Sequence, residues 1–288
     1  ATDGGSVTFY PIWKANTYTI KFQLYGTNAG GTTASMSMTY DKAANLTANG
    51  FTKTGYTFVG WSTTAGGSKV YTNAQSVSNL TTISGGTVTL YPVWQANTYT
   101  VSYNANGGSG APSTQYKTHG TALTLSTTKP TKSSTSAGNY TVTLNANGGT
   151  CSSASLTAKR TTSYTFSTWN TNSSGTGTSY ASGASYTTNA ALSLYAIYSS
   201  STTTASVTLP TPTREGYDFM GWATSASATS GTTGSYRPSG NVTLYAIWGA
   251  KGLVYIGNEA YQIYIGNGSS WDLYAPYVGN GSGWDLCS

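Results

Sequence analysis

His119 is the only histidine among 288 residues, so any chemistry that needs an imidazole base must run through it. A serine–histidine–acid triad has no second candidate for its base, and a metal site built on clustered histidines is excluded. Followed by Gly120, His119 reads as a solvated loop residue. The acids are Asp3, Asp41, Glu215, Asp218, Glu259, Asp272 and Asp285. Only Glu215 and Asp218 are near neighbours, and three positions apart on a strand they face opposite ways, a poor basis for glycosidic cleavage. Gly-rich runs such as Asn106-Gly107-Gly108-Ser109-Gly110 lack the helix and lysine of a phosphate loop. The turns of type Asn-x-Asn-Gly-Gly lack the carboxylates that calcium requires. Cys151 and Cys287 read as two thiols without a joint role and say nothing of compartment. The expectation is a protein that is not an enzyme, with no catalytic residue, no metal and no cofactor.

Recognition is the chemistry left. Lys and Arg number 13 against 7 acids, a net charge of +6, but the cations are scattered singly, without the basic stripe that phosphate backbones need. Nucleic acid is therefore not an expected partner, whereas diffuse attraction to anionic cell-wall polymers needs no cluster. Exposed aromatics stack on sugar rings or anchor protein partners. Tyr261, Trp271, Tyr274 and Trp284 are the candidate ligand-binding residues on that ground, all in the last forty residues. Asp272 and Asp285, each after a Trp, read first as turn-formers. No apolar run approaches the ~18 residues of a membrane span, and the polar start Ala1-Thr2-Asp3-Gly4-Gly5 is not a signal peptide, so a soluble chain is expected.

The elements that must position these residues are β-strands. Charged residues are only 7% of the chain, against about 25% in an ordinary soluble domain, while Thr, Tyr and Val are abundant and strong helix formers scarce. Three linked elements recur. Openers alternate apolar and polar residues: Tyr99-Thr100-Val101-Ser102-Tyr103 before Asn104-Ala105-Asn106-Gly107-Gly108, and Tyr140-Thr141-Val142-Thr143-Leu144 before Asn145-Ala146-Asn147-Gly148-Gly149. A blurred copy starts at Tyr18-Thr19-Ile20-Lys21-Phe22. Period two with one polar face means a half-buried strand, and the Asn-Gly pairs predict positive φ in a tight hairpin turn.

Middle elements are Gly55-Tyr56-Thr57-Phe58-Val59-Gly60-Trp61, Ser163-Tyr164-Thr165-Phe166-Ser167-Thr168-Trp169 and Gly216-Tyr217-Asp218-Phe219-Met220-Gly221-Trp222. Trp61 is out of phase with Tyr56 and Phe58, so a bulge near Gly60 is needed to return it to the core; Gly221 fits the same account. Closers are Phe9-Tyr10-Pro11-Ile12-Trp13, Leu90-Tyr91-Pro92-Val93-Trp94, Leu194-Tyr195-Ala196-Ile197-Tyr198 and Leu244-Tyr245-Ala246-Ile247-Trp248. Both faces of a closer are apolar, which predicts the most buried strand of each unit. Pro11 and Pro92 cannot donate to a ladder, which predicts a sheet edge there. Aromatics at fixed phase within strands read as core.

These linked motifs resemble the Listeria–Bacteroides repeat, the B-repeat type of listerial internalins, over residues 1 to 248. The resemblance implies tandem β-grasp-like modules of about 70 residues used as spacers or weak adhesive segments in surface and phage proteins; it brings no catalytic residues. After Trp248 the series Tyr264-Ile265-Gly266-Asn267-Gly268, then Trp271-Asp272-Leu273, and its copy at Tyr277 to Leu286 resemble the C-terminal tails of phage tail and fibre proteins of Gram-positive hosts. The expected organisation has residues 1–13 as the closing strand of an incomplete repeat, able to pair with a neighbouring chain, and 14–94 as module 1. Residues 95–198 form module 2, either continuous or with a nested unit at 138–198; 199–248 form module 3, truncated or completing 98–132; 249–288 form a small hairpin module. The fold class is all-β or mostly β. The expected function is a non-enzymatic extracellular or virion-surface structural and binding protein, a phage tail or fibre component first and a bacterial surface adhesin or spacer second. Expected partners are other copies, other virion or surface proteins and host cell-wall glycan, without membrane insertion.

Overall fold

A computed structural model describes residues 4–250 with their side chains, and beyond them the backbone of six short strands between Leu253 and Leu286. The described residues form strands and loops throughout, an all-β fold. No helix among them is long and apolar enough to cross a membrane. The chain divides into two compact units, residues 1–130 with 168–197, and residues 131–167 with 198–288.

In the first repeat the opener Thr17–Phe22 buries Tyr18, Ile20 and Phe22 and exposes Thr17, Thr19 and Lys21, as strand alternation requires. It pairs antiparallel with Met36–Thr39 and parallel with the closer Thr87–Ala96, which pairs antiparallel with the middle strand Tyr56–Ser62. The closer is thus an interior strand. In the middle strand the register slips between Phe58 and Gly60, where φ of Gly60 is 153°. This bulge turns Trp61 inward to 0% exposure, against Phe22 at 4.6 Å and Phe58 at 4.9 Å. The third repeat repeats the device between Phe219 and Gly221, burying Trp222.

Pro92 does not mark a sheet edge. The parallel ladder with the opener ends at Leu90, so nothing on that side calls for an N–H at residue 92. On the other side Pro92 faces Trp61, whose own N–H and C=O point away to Tyr71. A proline therefore costs no ladder bond in this interior strand, and Ala196 and Ala246 occupy the matching place in the other repeats.

The second and third repeats are interleaved. Thr98–Asn104 pairs antiparallel with Gln115–Thr118 and parallel with Leu192–Tyr195, the start of strand Leu192–Thr204. Val142–Asn145, in strand Thr135–Asn145, pairs parallel with Val242–Tyr245, and the same strand pairs antiparallel with the beginning of Ser155–Asn170. Tyr217–Ala223 then flanks Val242–Ala250. Along the chain two openers therefore come first and their two closers follow in the same order, and 98–132 does not pair directly with 205–248. The excursion leaves at Ser134 and returns at Ser163, whose hydroxyls are hydrogen-bonded at 3.2 Å, and Thr135 lies opposite Thr162. Residues 135–162 are thus a hairpin set into the second repeat that supplies the opener the segment 199–248 lacks.

The Asn-Gly turns do not close tight hairpins. Asn106 and Asn147 have φ of 49° and 48°, as their sequence predicts, but the returning strands begin only at Gln115 and Ser155. Each turn instead folds over its closer: Asn106 Nδ2 donates to the Ala196 carbonyl at 3.0 Å and Asn147 Nδ2 to that of Ala246 at 3.1 Å. The side chains of Asn104 and Asn145 hold the turns by accepting from the amides of Asn106 and Asn147.

Of the closing strand expected within residues 1–13, the described residues 4–13 form none. Residues 4–16 carry no strand, and Phe9, Ile12 and Trp13 are 87% exposed or more. Each opener in the described residues already holds another closer, so this segment has no ladder to join. In the tail, Tyr264–Gly266 pairs with Trp271–Leu273 and Tyr277–Gly279 with Trp284–Leu286, the hairpins expected there; Leu253–Ile256 pairs with Glu259–Gln262.

Candidate functional site

His119 lies in the turn after Gln115–Thr118, as expected, but it is half-buried and held by neighbours instead of solvated. Its Nδ1 shares a hydrogen bond with the Tyr99 hydroxyl at 3.0 Å, and its ring meets Tyr56 edge-on at 5.5 Å. Its amide donates to the Asn97 carbonyl at 2.8 Å, and the Asn97 amide to that of Gly55 at 2.9 Å. A Cβ on Gly55, at φ +78°, would fall 2.0 Å from the imidazole, so only glycine admits this ring. The histidine's geometry is that of a staple joining the first and second repeats, held by an aromatic hydroxyl.

The remaining reactive groups are dispersed. Glu215 is exposed in the turn before Tyr217, and Asp218 lies within the strand that follows. Cys151 is a half-buried free thiol packed against the third repeat's core; Cys287 lies outside the described residues. No group of three or more His, Cys, Asp or Glu is placed to hold a metal among the described residues. Burial raises the hydroxyl pKa of Tyr103, Tyr186 and Tyr198 above the ordinary tyrosine value; the backbone hydrogen bond at Ser126 opposes this for Tyr103. For Tyr186 the neighbouring Tyr180 adds to the rise, and a hydrogen bond with Thr188 opposes it.

Of the candidate ligand-binding residues, Tyr274 lies outside the described residues. Tyr261, Trp271 and Trp284 are placed by backbone alone, in strands Glu259–Gln262, Trp271–Leu273 and Trp284–Leu286, and their side chains are outside the described residues. The motif tryptophans Trp61, Trp169 and Trp222 are at most 1% exposed and cannot form a platform.

Exposed aromatic rings include Tyr116 and Tyr217, but a groove with an exposed ring on its wall lies in the first repeat. A groove of about 200 Å³, open to solvent, is lined by Tyr25, Lys53, Tyr56, Pro92 and Trp94 over Gly66 and Gly67. Tyr25 is 45% exposed and meets Tyr91 edge-on at 6.3 Å. Trp94 donates from Nε1 to the Tyr25 carbonyl at 3.2 Å, fixing the loop against the closer. The Lys53 ammonium sits 4.1 Å from the centre of the Tyr56 ring. A Cβ on Gly26 would lie 3.2 Å from the Lys53 Nζ, and one on Gly66 3.2 Å from the Tyr25 hydroxyl, so these glycines keep the cradle open.

The cation and tyrosine recur in the other repeats: Arg214 over Tyr217 at 3.9 Å and Lys132 over Tyr164 at 4.9 Å. Trp248 likewise donates from Nε1 to the Ala146 carbonyl at 3.0 Å. Ala146 therefore stands where the first repeat has Tyr25, and Arg214 donates to the Asn147 carbonyl at 3.5 Å. Sequence reasoning missed Tyr25 because it sits between an opener and a blurred turn, outside every repeated motif.

A family model for the Listeria-Bacteroides repeat domain matches residues 18–92, 99–137, 140–197 and 199–247. A protein of Evansella cellulosilytica that carries the provisional description of a Gly-rich membrane protein is 31% identical over 118 residues, 41% of this chain. The chain spans 13% of that relative's length. No solved structure matches the chain.

Proposed function

The chain belongs to the Listeria-Bacteroides repeat domain family, and from that premise we propose that it is a non-enzymatic structural and binding protein displayed outside a cell or on a virion. The observation that carries this reading is the use made of the motif aromatics: Trp61, Trp169 and Trp222 are buried as core in successive repeats, under surfaces of Ser, Thr and Asn. Such a chain resists unfolding while offering polar, sparsely charged faces, which suits a spacer that holds a binding element away from its support.

The first form of the proposal is a phage tail or fibre component, supported by the hairpin series after Trp248. The second is a bacterial surface adhesin or spacer, favoured by the membrane-protein description of the Evansella relative. Partners on either form are further copies, other virion or surface proteins and host cell-wall glycan. Antibody raised against residues 17–250 tests the display: labelling of intact particles or unpermeabilised cells is expected, and labelling only after permeabilisation overturns it. Sedimentation equilibrium separates the two forms, a stable trimer supporting the fibre and a monomer the spacer or adhesin.

A further inference from the structure

We propose that the groove of the first repeat binds an acidic saccharide, a pyranose chain carrying carboxylate groups, with a sugar ring against Tyr25 and Trp94 and an acid group on Lys53. The proposal deepens the surface-display reading and rests on it for its biological setting, but the binding itself is independent of where the protein is displayed.

The geometry points to this ligand class through a contrast between repeats. All three place a cation over the tyrosine of the middle element, so the cation–π contact alone is part of the shared framework. In the third repeat the cation is also engaged by a backbone carbonyl, and the loop opposite offers only Ala146. In the first repeat Lys53 makes no ion pair among the described residues. The loop opposite offers Tyr25, an exposed ring beside the half-buried Trp94, over the buried Pro92. Gly26 and Gly66 leave uncovered the space that side chains there would fill.

Flat apolar faces with polar edges suit the CH-rich face of a pyranose, which an extended apolar peptide would not need. An unpaired ammonium at the groove's end selects an acid over a neutral sugar, and the chain's net charge of +6 draws polyanions toward it. A groove this shallow and open predicts weak binding by one copy, made useful by repetition of the chain on a surface.

Titration of the full chain with tetragalacturonate, followed by amide chemical shifts, tests the site, with chitotetraose as neutral probe and inorganic polyphosphate as charge without sugar. Expected are shifts confined to Gly26, Lys53, Gly66 and Gly67, and affinity for tetragalacturonate about tenfold above that for chitotetraose. Tyr25→Ala should lower that affinity about tenfold while Tyr25→Phe retains it, and Lys53→Gln should erase the preference for the acidic probe. Absence of shifts, shifts elsewhere, equal competition by polyphosphate, or indifference to both Tyr25→Ala and Lys53→Gln would each overturn the proposal. None of these outcomes bears on surface labelling, so failure here is distinguishable from failure of the display reading.

Discussion

The hydroxyl of Ser134 donates to that of Ser163 at 3.2 Å, although the two residues are 29 positions apart. The chain leaves the second repeat at one serine, builds a hairpin and resumes at the other as though uninterrupted: Lys132 and Tyr164, on either side of the gap, form the same cation–ring pair as Arg214 and Tyr217 in an unbroken stretch. The hairpin between them carries Val142 and Leu144, which join Leu209, Trp222 and Leu244 in the third repeat's core. The third repeat therefore depends for its opener on a loop of the second.

The buried tryptophans differ in one respect that stability measurements will register. Trp222 donates from Nε1 to the Pro210 carbonyl at 2.8 Å, whereas Trp61 Nε1 is buried without a hydrogen-bond partner. Replacement by Ala should cost about 3–5 kcal/mol at either site through lost burial and a cavity. Replacement by Phe should separate them: Trp222→Phe also forfeits a bond and strands a carbonyl, about 1–2 kcal/mol more than Trp61→Phe. Urea denaturation of the four variants checks the order, and a milder Trp222→Phe would contradict it.

Lys117 occupies a core position. It is 0% exposed, lies opposite Tyr99 as Met38 lies opposite Tyr18, and its ammonium reaches Asn189 Oδ1 at 2.8 Å and the Thr118 carbonyl at 3.2 Å. Neutral acceptors compensate a buried cation poorly, and Gly120 N donates to the same Asn189 oxygen, which so keeps a partner if the lysine is removed. Lys117→Met should leave stability unchanged or raise it by about 1–3 kcal/mol, while Lys117→Ala should lower it by about 2 kcal/mol. A strongly destabilised Lys117→Met, read by thermal melting, would show the ammonium to be needed.

Tyr103, Tyr186 and Tyr198 hold their protons more tightly in the fold than in the unfolded chain, because burial penalises the phenolate. The folded state thus binds more protons once pH passes the ordinary tyrosine value near 10, and stability falls as pH rises beyond it. Below that value these groups contribute no pH dependence. Titration of phenolate absorbance should show a late-ionising class that merges with unfolding, and denaturation midpoints should fall only on the alkaline side. Ionisation of all tyrosines together at the ordinary tyrosine value, with the fold intact, would contradict this.

Much of the local structure was legible in the residues. Alternation at Tyr18, Ile20 and Phe22 placed the opener's buried face, and the phase slip between Phe58 and Trp61 located the bulge at Gly60. Strand pairing was not legible, because periodicity says which face is buried and not which strand lies alongside. Residues 99–108 and 140–149 are near copies, so either could serve either closer on pattern alone. The edge inferred from Pro92 failed because a proline is excluded only where its neighbour demands a donor, and Trp61 directs its polar groups elsewhere. Tyr25 belongs to no motif, and Lys117 carries a charged side chain where pattern reading expects solvent.

The interleaving is tested most directly by disulfide trapping in a background of Cys151→Ser and Cys287→Ser. Thr143 lies opposite Thr243, and Ser102 opposite Ser193, where the two hydroxyls are 3.1 Å apart. Mild oxidation should cross-link the pairs Thr143→Cys with Thr243→Cys and Ser102→Cys with Ser193→Cys. Cross-linking instead of Ser102→Cys with Thr243→Cys, leaving the other two pairs reduced, would mean that 98–132 pairs directly with 205–248, contradicting the interleaved repeats.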